Sequence, residues 1–122
     1  MTALIDSLKG MLKRGNDTAL LRFSLGSEYL KSGELPLALE HLQRAIALDE
    51  NYSAAWKMLG QAQQAAGLMT QAVTSYQQGI SIAESRGDIQ AAKEMRVFLR
   101  RIQRQRGAAA DDTGRLKNQI GQ

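Results

Sequence analysis

The sequence contains no cysteine, which removes disulfide frameworks, thiolate metal sites and cysteine nucleophiles together. It has one proline, Pro36, aromatic residues at only 5%, and few β-branched or turn-forming runs. Alanine, leucine and glutamine abound instead, so an all-α chain is expected. No stretch of about 18 apolar residues occurs, and Asp6 and Lys9 interrupt the opening Met1-Thr2-Ala3-Leu4-Ile5. Neither a membrane span nor an export leader is indicated, and a cytoplasmic location is expected. His41 is the sole histidine; without cysteine partners it makes no metal set and reads as a surface residue. No glycine-rich phosphate loop and no nucleophile–base pair stands out. An enzyme is therefore the least favoured class, and neither a cofactor nor a metal is expected.

The 122 residues suit one domain. The net charge of +4 is unevenly placed. Residues 86–106 hold seven basic and two acidic side chains, whereas residues 1–85 hold seven and eight. The basic character thus belongs to one segment.

Helical spacing of Leu4, Ile5, Leu8, Met11 and Leu12 predicts a short amphipathic helix over residues 3–14. Asn16 or Asp17 can cap the next helix, which runs to about Ser32 and stops at Gly33. Pro36 fits the first turn of a further helix, continuing to about Leu48. The pair then recurs: Ala54 to Ala66, stopped by Gly67, and Gln71 to about Glu84 with Thr70 as its expected cap. Asp88 caps a last helix from Ile89 to about Gln105. Beyond Gly107 no apolar periodicity is seen, and a disordered tail over residues 107–122 is expected.

The middle of the chain repeats at a spacing of 34 residues: Gly26 with Gly60, Gly33 with Gly67, Ala38 with Ala72, and Ile46 with Ile80. Leu25/Leu59, Leu42/Tyr76 and Ala45/Gly79 keep the same offset with related side chains. Such a period marks one supersecondary unit copied and stacked. Helix–turn–helix units of this length, with Trp56, Leu59-Gly60, Gly67, Ala72, Tyr76 and Gly79, resemble tetratricopeptide repeats. Arg22 replaces a large aromatic of that pattern, Gln63 a tyrosine, and Glu50 and Glu84 the closing prolines.

The resemblance implies an all-α, antiparallel helix-pair stack, an α-solenoid. Its parts would be an N-terminal helix and linker (residues 1–18), repeat one (19–52), repeat two (53–86) and a basic capping helix (87–106). The apolar stripe Ile89, Ala92, Met95, Leu99 and Ile102 would cover the second unit. The N-terminal helix could cover the opposite flank, lie loose or fill the groove.

The resemblance further implies a concave groove lined by the first helix of each pair: Leu20, Phe23, Ser27, Leu30 and Lys31, then Ala54, Lys57, Met58, Gln61 and Gln64. Such a surface suits a peptide or helix of another protein. The plainer reading is that Phe23 and Leu30 pack on neighbouring helices. A clamp for a terminal carboxylate, known in the family, is disfavoured, because Phe23, Ser27 and Met58 stand at clamp positions and Lys57 alone is cationic. Lys93, Arg96, Arg100, Arg101 and Arg104 form a basic patch, read as a footprint for nucleic acid or an anionic surface or, more simply, as a solvated outer face. The expected function is a non-catalytic protein-interaction adaptor. Nucleic-acid or anionic-surface binding through the basic helix and self-association as a homo-oligomer are the alternatives.

Overall fold

Gly33 and Gly67 each follow a helix with φ of 77° and 79°, a conformation that side chains with a Cβ avoid. At each, two backbone bonds close the helix end: Gly33 N–H donates to Leu30 and Glu34 N–H to Tyr29, as Gly67 does to Gln64 and Leu68 to Gln63. The chain turns sharply at both places, and a helix pair results each time. The computed structural model describes the backbone of residues 2–120 and the side-chain surroundings of residues 3–107. Six helices make it up: α1 (Thr2–Lys13), α2 (Ala19–Lys31), α3 (Leu35–Leu48), α4 (Ser53–Ala65), α5 (Met69–Ser85) and α6 (Ile89–Ile120).

Local chemistry sets most boundaries. Pro36 lies in the first turn of α3. Thr18, not Asn16 or Asp17, caps α2, its hydroxyl accepting the Leu21 N–H at 3.1 Å. Thr70 is no cap either; it lies inside the first turn of α5, which Leu68 precedes. Asp88 does sit before α6 and accepts the Ala91 N–H.

Pairing within each hairpin depends on absent side chains. A methyl group at Gly26 would lie 2.5 Å from Leu42 Cγ, and one at Gly60 would lie 2.5 Å from Tyr76 Cε1. The two contacts are equivalent, one per hairpin, and they let α2 close on α3 and α4 on α5. Leu25, Ala38, Leu42 and Ala45 are buried in the first pair, and Leu59, Ala72 and Tyr76 in the second.

The pairs stack through α3 on α4, and α5 packs on α6. Along the inner layer, α2 touches α4 and α4 touches α6, whereas α3 and α5 do not meet. A gap of about 440 Å³ between α3 and α5, bordered by Ile46, Trp56 and Ile82, marks their separation. Close inner helices and splayed outer ones give the stack its curvature.

Helix α1 packs against α2 alone, laying Ile5, Leu8 and Leu12 on the first core. It therefore covers the N-terminal flank and does not reach across to α4. On α6, Ala92, Met95 and Ile102 are buried, but Ile89, expected in the same stripe, is 56% exposed and lies outside it. The backbone of α6 continues as far as Ile120, past the Gly107 where the sequence pattern ends it. The Ala108-Ala109-Ala110 run favours helix, and the side chains of residues 108–122 lie outside the described residues.

Candidate interaction groove

The inner layer of α2, α4 and α6 presents the concave face. Leu20, at the start of α2, is 65% exposed. It borders a cleft of about 470 Å³ shared with Tyr52, Ala54 and Arg86. Phe23 is half-buried and packs against Tyr52, with ring centroids 5.0 Å apart. Ser27 lines a smaller pocket of about 230 Å³ with Leu4 and Leu8 of α1, Phe23, Ser24 and Glu28. Leu30 and Met58 are partly buried against the first core. For these two and Phe23 the plainer packing role is thus present alongside any contact with a partner.

Charge on the α2 and α4 part of this face is largely cancelled. Lys57 Nζ lies 2.6 Å from Glu94 Oε2 of α6, and Gln90 also donates to Glu94. The Lys57 ammonium and the Gln90 amide hold the Glu94 carboxyl below its ordinary value. Lys31 is exposed and pairs with Glu28 at 3.2 Å. Gln61 is half-buried, and Gln64 accepts a hydrogen bond from the Tyr76 hydroxyl. Burial pushes the Tyr76 hydroxyl well above its ordinary value, so it remains a donor. What that part offers is apolar surface edged by amides and hydroxyls.

Two places where the sequence departs from the repeat pattern have polar solutions. Gln63 is buried, and its side-chain oxygen accepts from the Ser75 hydroxyl at 2.6 Å. Arg22 donates to Asp17 at 2.7 and 3.1 Å and lies 3.1 Å from His41 Nδ1. The Arg22 hydrogen bond holds the Asp17 carboxyl below the usual carboxylate range. His41 is not a surface residue: it is buried and stacks on Tyr29 with centroids 5.5 Å apart. Burial first, then the Arg22 charge, lowers its pKa and keeps it neutral, so Nδ1 accepts from Arg22.

The basic patch divides. Arg96 is half-buried and pairs with Glu84 at 2.6 Å, whereas Lys93, Arg100, Arg101 and Arg104 are exposed. Sequence reasoning missed Tyr52, Glu94, Leu4 and Leu8 as groove neighbours. Glu94 lies 37 residues after Lys57, off the 34-residue period, so the repeat carried no signal for that pair. Among the described residues no three histidine, aspartate or glutamate side chains gather as a metal set would. No helix among them is long and apolar enough to cross a membrane.

Comparison with known proteins gives consistent results. A family model described as TPR repeat matches residues 26–67. The chain is 50% identical over 103 residues to a TPR repeat-containing protein of Pseudomonas aeruginosa, covering 84% of this chain and 98% of that one. A Bordetella parapertussis protein, solved in solution, superposes with a TM-score of 0.76 at 43% identity, over 86% of this chain and 91% of its own. The TPR2B domain of yeast Sti1, solved in a complex with pHsp70, has a TM-score of 0.77 over 83% of this chain and 81% of that one. At 19% identity that last likeness is one of fold.

Proposed function

Because this chain belongs to the tetratricopeptide-repeat family, whose fold serves as a protein-interaction module, we propose that it is a non-catalytic, cytoplasmic adaptor. It holds a peptide or helix of another protein on the concave face through Leu20, Phe23, Ser27, Leu30, Lys31, Ala54, Lys57, Met58, Gln61 and Gln64. The observation that carries this reading is the half-apolar character of that face, where Glu94 answers the Lys57 ammonium at 2.6 Å. A face whose central ammonium is paired selects there by shape and by amide hydrogen bonds, which suits an internal segment better than a free chain terminus. The Sti1 domain solved with pHsp70 is a precedent for the fold holding another protein, and carries no partner over to this chain.

The test is capture from an extract of the source cells by wild-type protein and by Ser27→Arg with Gln61→Arg. Both positions are half-exposed and outside the core, so helicity by circular dichroism should be unchanged. Loss of a protein that the wild type retains is the expected result. Undiminished capture by the double variant would sink the groove assignment.

A further inference from the structure

We propose that the groove grips an extended segment with two unlike ends: apolar side chains lie over α2, and two consecutive carboxylates bind Lys93 and Arg100 of α6. This polarity rests on the proposed groove and adds to it the class of segment held and the end that faces α6. Helix α4 starts 34 residues after α2, and α6 starts 36 residues after α4. Burial keeps step with the second offset. Leu59 and Ala62 of α4 pack into the core of the preceding pair, and Met95 and Phe98 of α6, 36 positions on, pack into the core beside α5. The groove positions therefore form three rows across the inner helices. Phe23, Lys57 and Lys93 make the first, Ser27, Gln61 and Val97 the second, and Leu30, Gln64 and Arg100 the third.

Chemistry changes along each row. At the α2 end stand Phe23 and Leu30, with Leu4 and Leu8 of α1 beside Phe23 and Ser27. In the middle the Lys57 ammonium is taken by Glu94, which leaves the amides of Gln61 and Gln64. At the α6 end Lys93 and Arg100 are exposed. The described acidic side chains of α5 and α6 are bonded elsewhere: Glu94 to Lys57, Glu84 to Arg96, and Asp88 to the Ser53 hydroxyl. A segment laid along the middle row thus has Phe23 and Leu30 on its two sides at one end, and Lys93 and Arg100 on its two sides at the other. Two steps of about 8–10 Å separate the axes of α2 and α6, a span of about six extended residues. Lys93 and Arg100 stand about 10 Å apart along a straight helix. Successive side chains of an extended segment point to opposite sides, so two consecutive carboxylates meet one cation each. The planar fork of Arg100 suits a carboxylate through two parallel bonds. A nucleic-acid strand carries charge at every step and would lay phosphates on Phe23 and Leu30, so the gradient favours a peptide.

The probes are end-blocked peptides of about eight residues, with two leucines at one end, two glutamates at the other, and serine and glutamine between. They are made in both chain directions, and the tighter binder is used. A shuffled peptide of equal composition, a counterpart ending in lysines, and single-stranded DNA are the controls. The graded peptide should bind more tightly than the shuffled one. Lys93→Glu with Arg100→Glu should weaken it by roughly tenfold or more, and should bind the lysine-ended peptide more tightly than the wild type does. If that variant loses helicity, Lys93→Gln with Arg100→Gln replaces it, and the weakening is the readout. Ser27→Tyr with Gln61→Tyr fills the middle row without adding charge and should abolish binding. Binding that survives this filling removes the groove, and the polarity with it. Binding lost there but equal for graded and shuffled peptides, or undisturbed in the α6 variants, leaves the groove standing and overturns the polarity. Absence of binding by the graded peptide, or tighter binding of the DNA, overturns the polarity as well.

Discussion

At Gly60 two preferences oppose each other. Alanine is the better helix former by about 1 kcal/mol, yet its methyl would lie 2.5 Å from the buried Tyr76 ring. Overpacking of this kind costs about 1–3 kcal/mol, so Gly60→Ala should be destabilising in urea denaturation. Gly79→Ala meets chiefly the Met95 thioether, a flexible group that can move aside, with Trp56 Cβ at 3.0 Å as its one stiff neighbour; its loss should be smaller. His41 supplies a pH prediction. Its folded pKa lies below the ordinary 6.5, so on acidification the unfolded chain takes up the proton first. Stability contributed by neutral His41 is intact above pH 6.5 and is lost as pH falls toward the folded value. His41→Gln should therefore flatten the decline of the melting midpoint below pH 6.5. The buried place of His41 was not legible in the sequence, because it follows from Arg22 occupying an aromatic's position and needing both Asp17 and an acceptor.

The terminal helices differ in what they cover. Helix α6 lays Ala92, Met95, Phe98 and Ile102 against Tyr76, Gly79 and Ala83, with the Tyr76 and Phe98 rings 5.6 Å apart. A chain ending at Arg86 would expose that entire side of α5. Loss of a cooperative melting transition by circular dichroism, with aggregation by light scattering, is expected. Helix α1 contributes three partly buried side chains to one neighbour. Deleting residues 1–14 should lower the midpoint while keeping a single transition; retention of cooperativity in the α6 truncation and its loss in the α1 deletion would reverse this ranking. The apolar periodicity of α6 announced a cap, yet its rotation was hidden, because three extra residues in α5 and one fewer in the following turn start α6 36 residues after α4, off the 34-residue period.

Across the whole molecule charge is unevenly answered: Lys57 is paired with Glu94, whereas Lys93, Arg100, Arg101 and Arg104 on α6 are exposed. Raising ionic strength to about 1 M shrinks the screening length to about 3 Å, so capture that rests on apolar and amide contacts in the groove should persist. Pairing of two copies through α6 would oppose like charges. Light scattering at low salt should accordingly report a monomer, and a dimer that Arg100→Glu leaves unchanged would contradict that expectation.

The sequence alone determined the helix pairs and their repetition. Helix ends at Gly33, Gly67 and Pro36 obey local backbone rules, and small residues at Gly26, Gly60, Ala38 and Ala72 dictate where helices can touch. Tertiary structure decided which charges answer each other, as Lys57 with Glu94 and Arg22 with Asp17 and His41, where α1 rests, and which side of α6 stays bare. Those outcomes depend on the rotation and spacing of separate helices, set by packing between elements that no local pattern encodes.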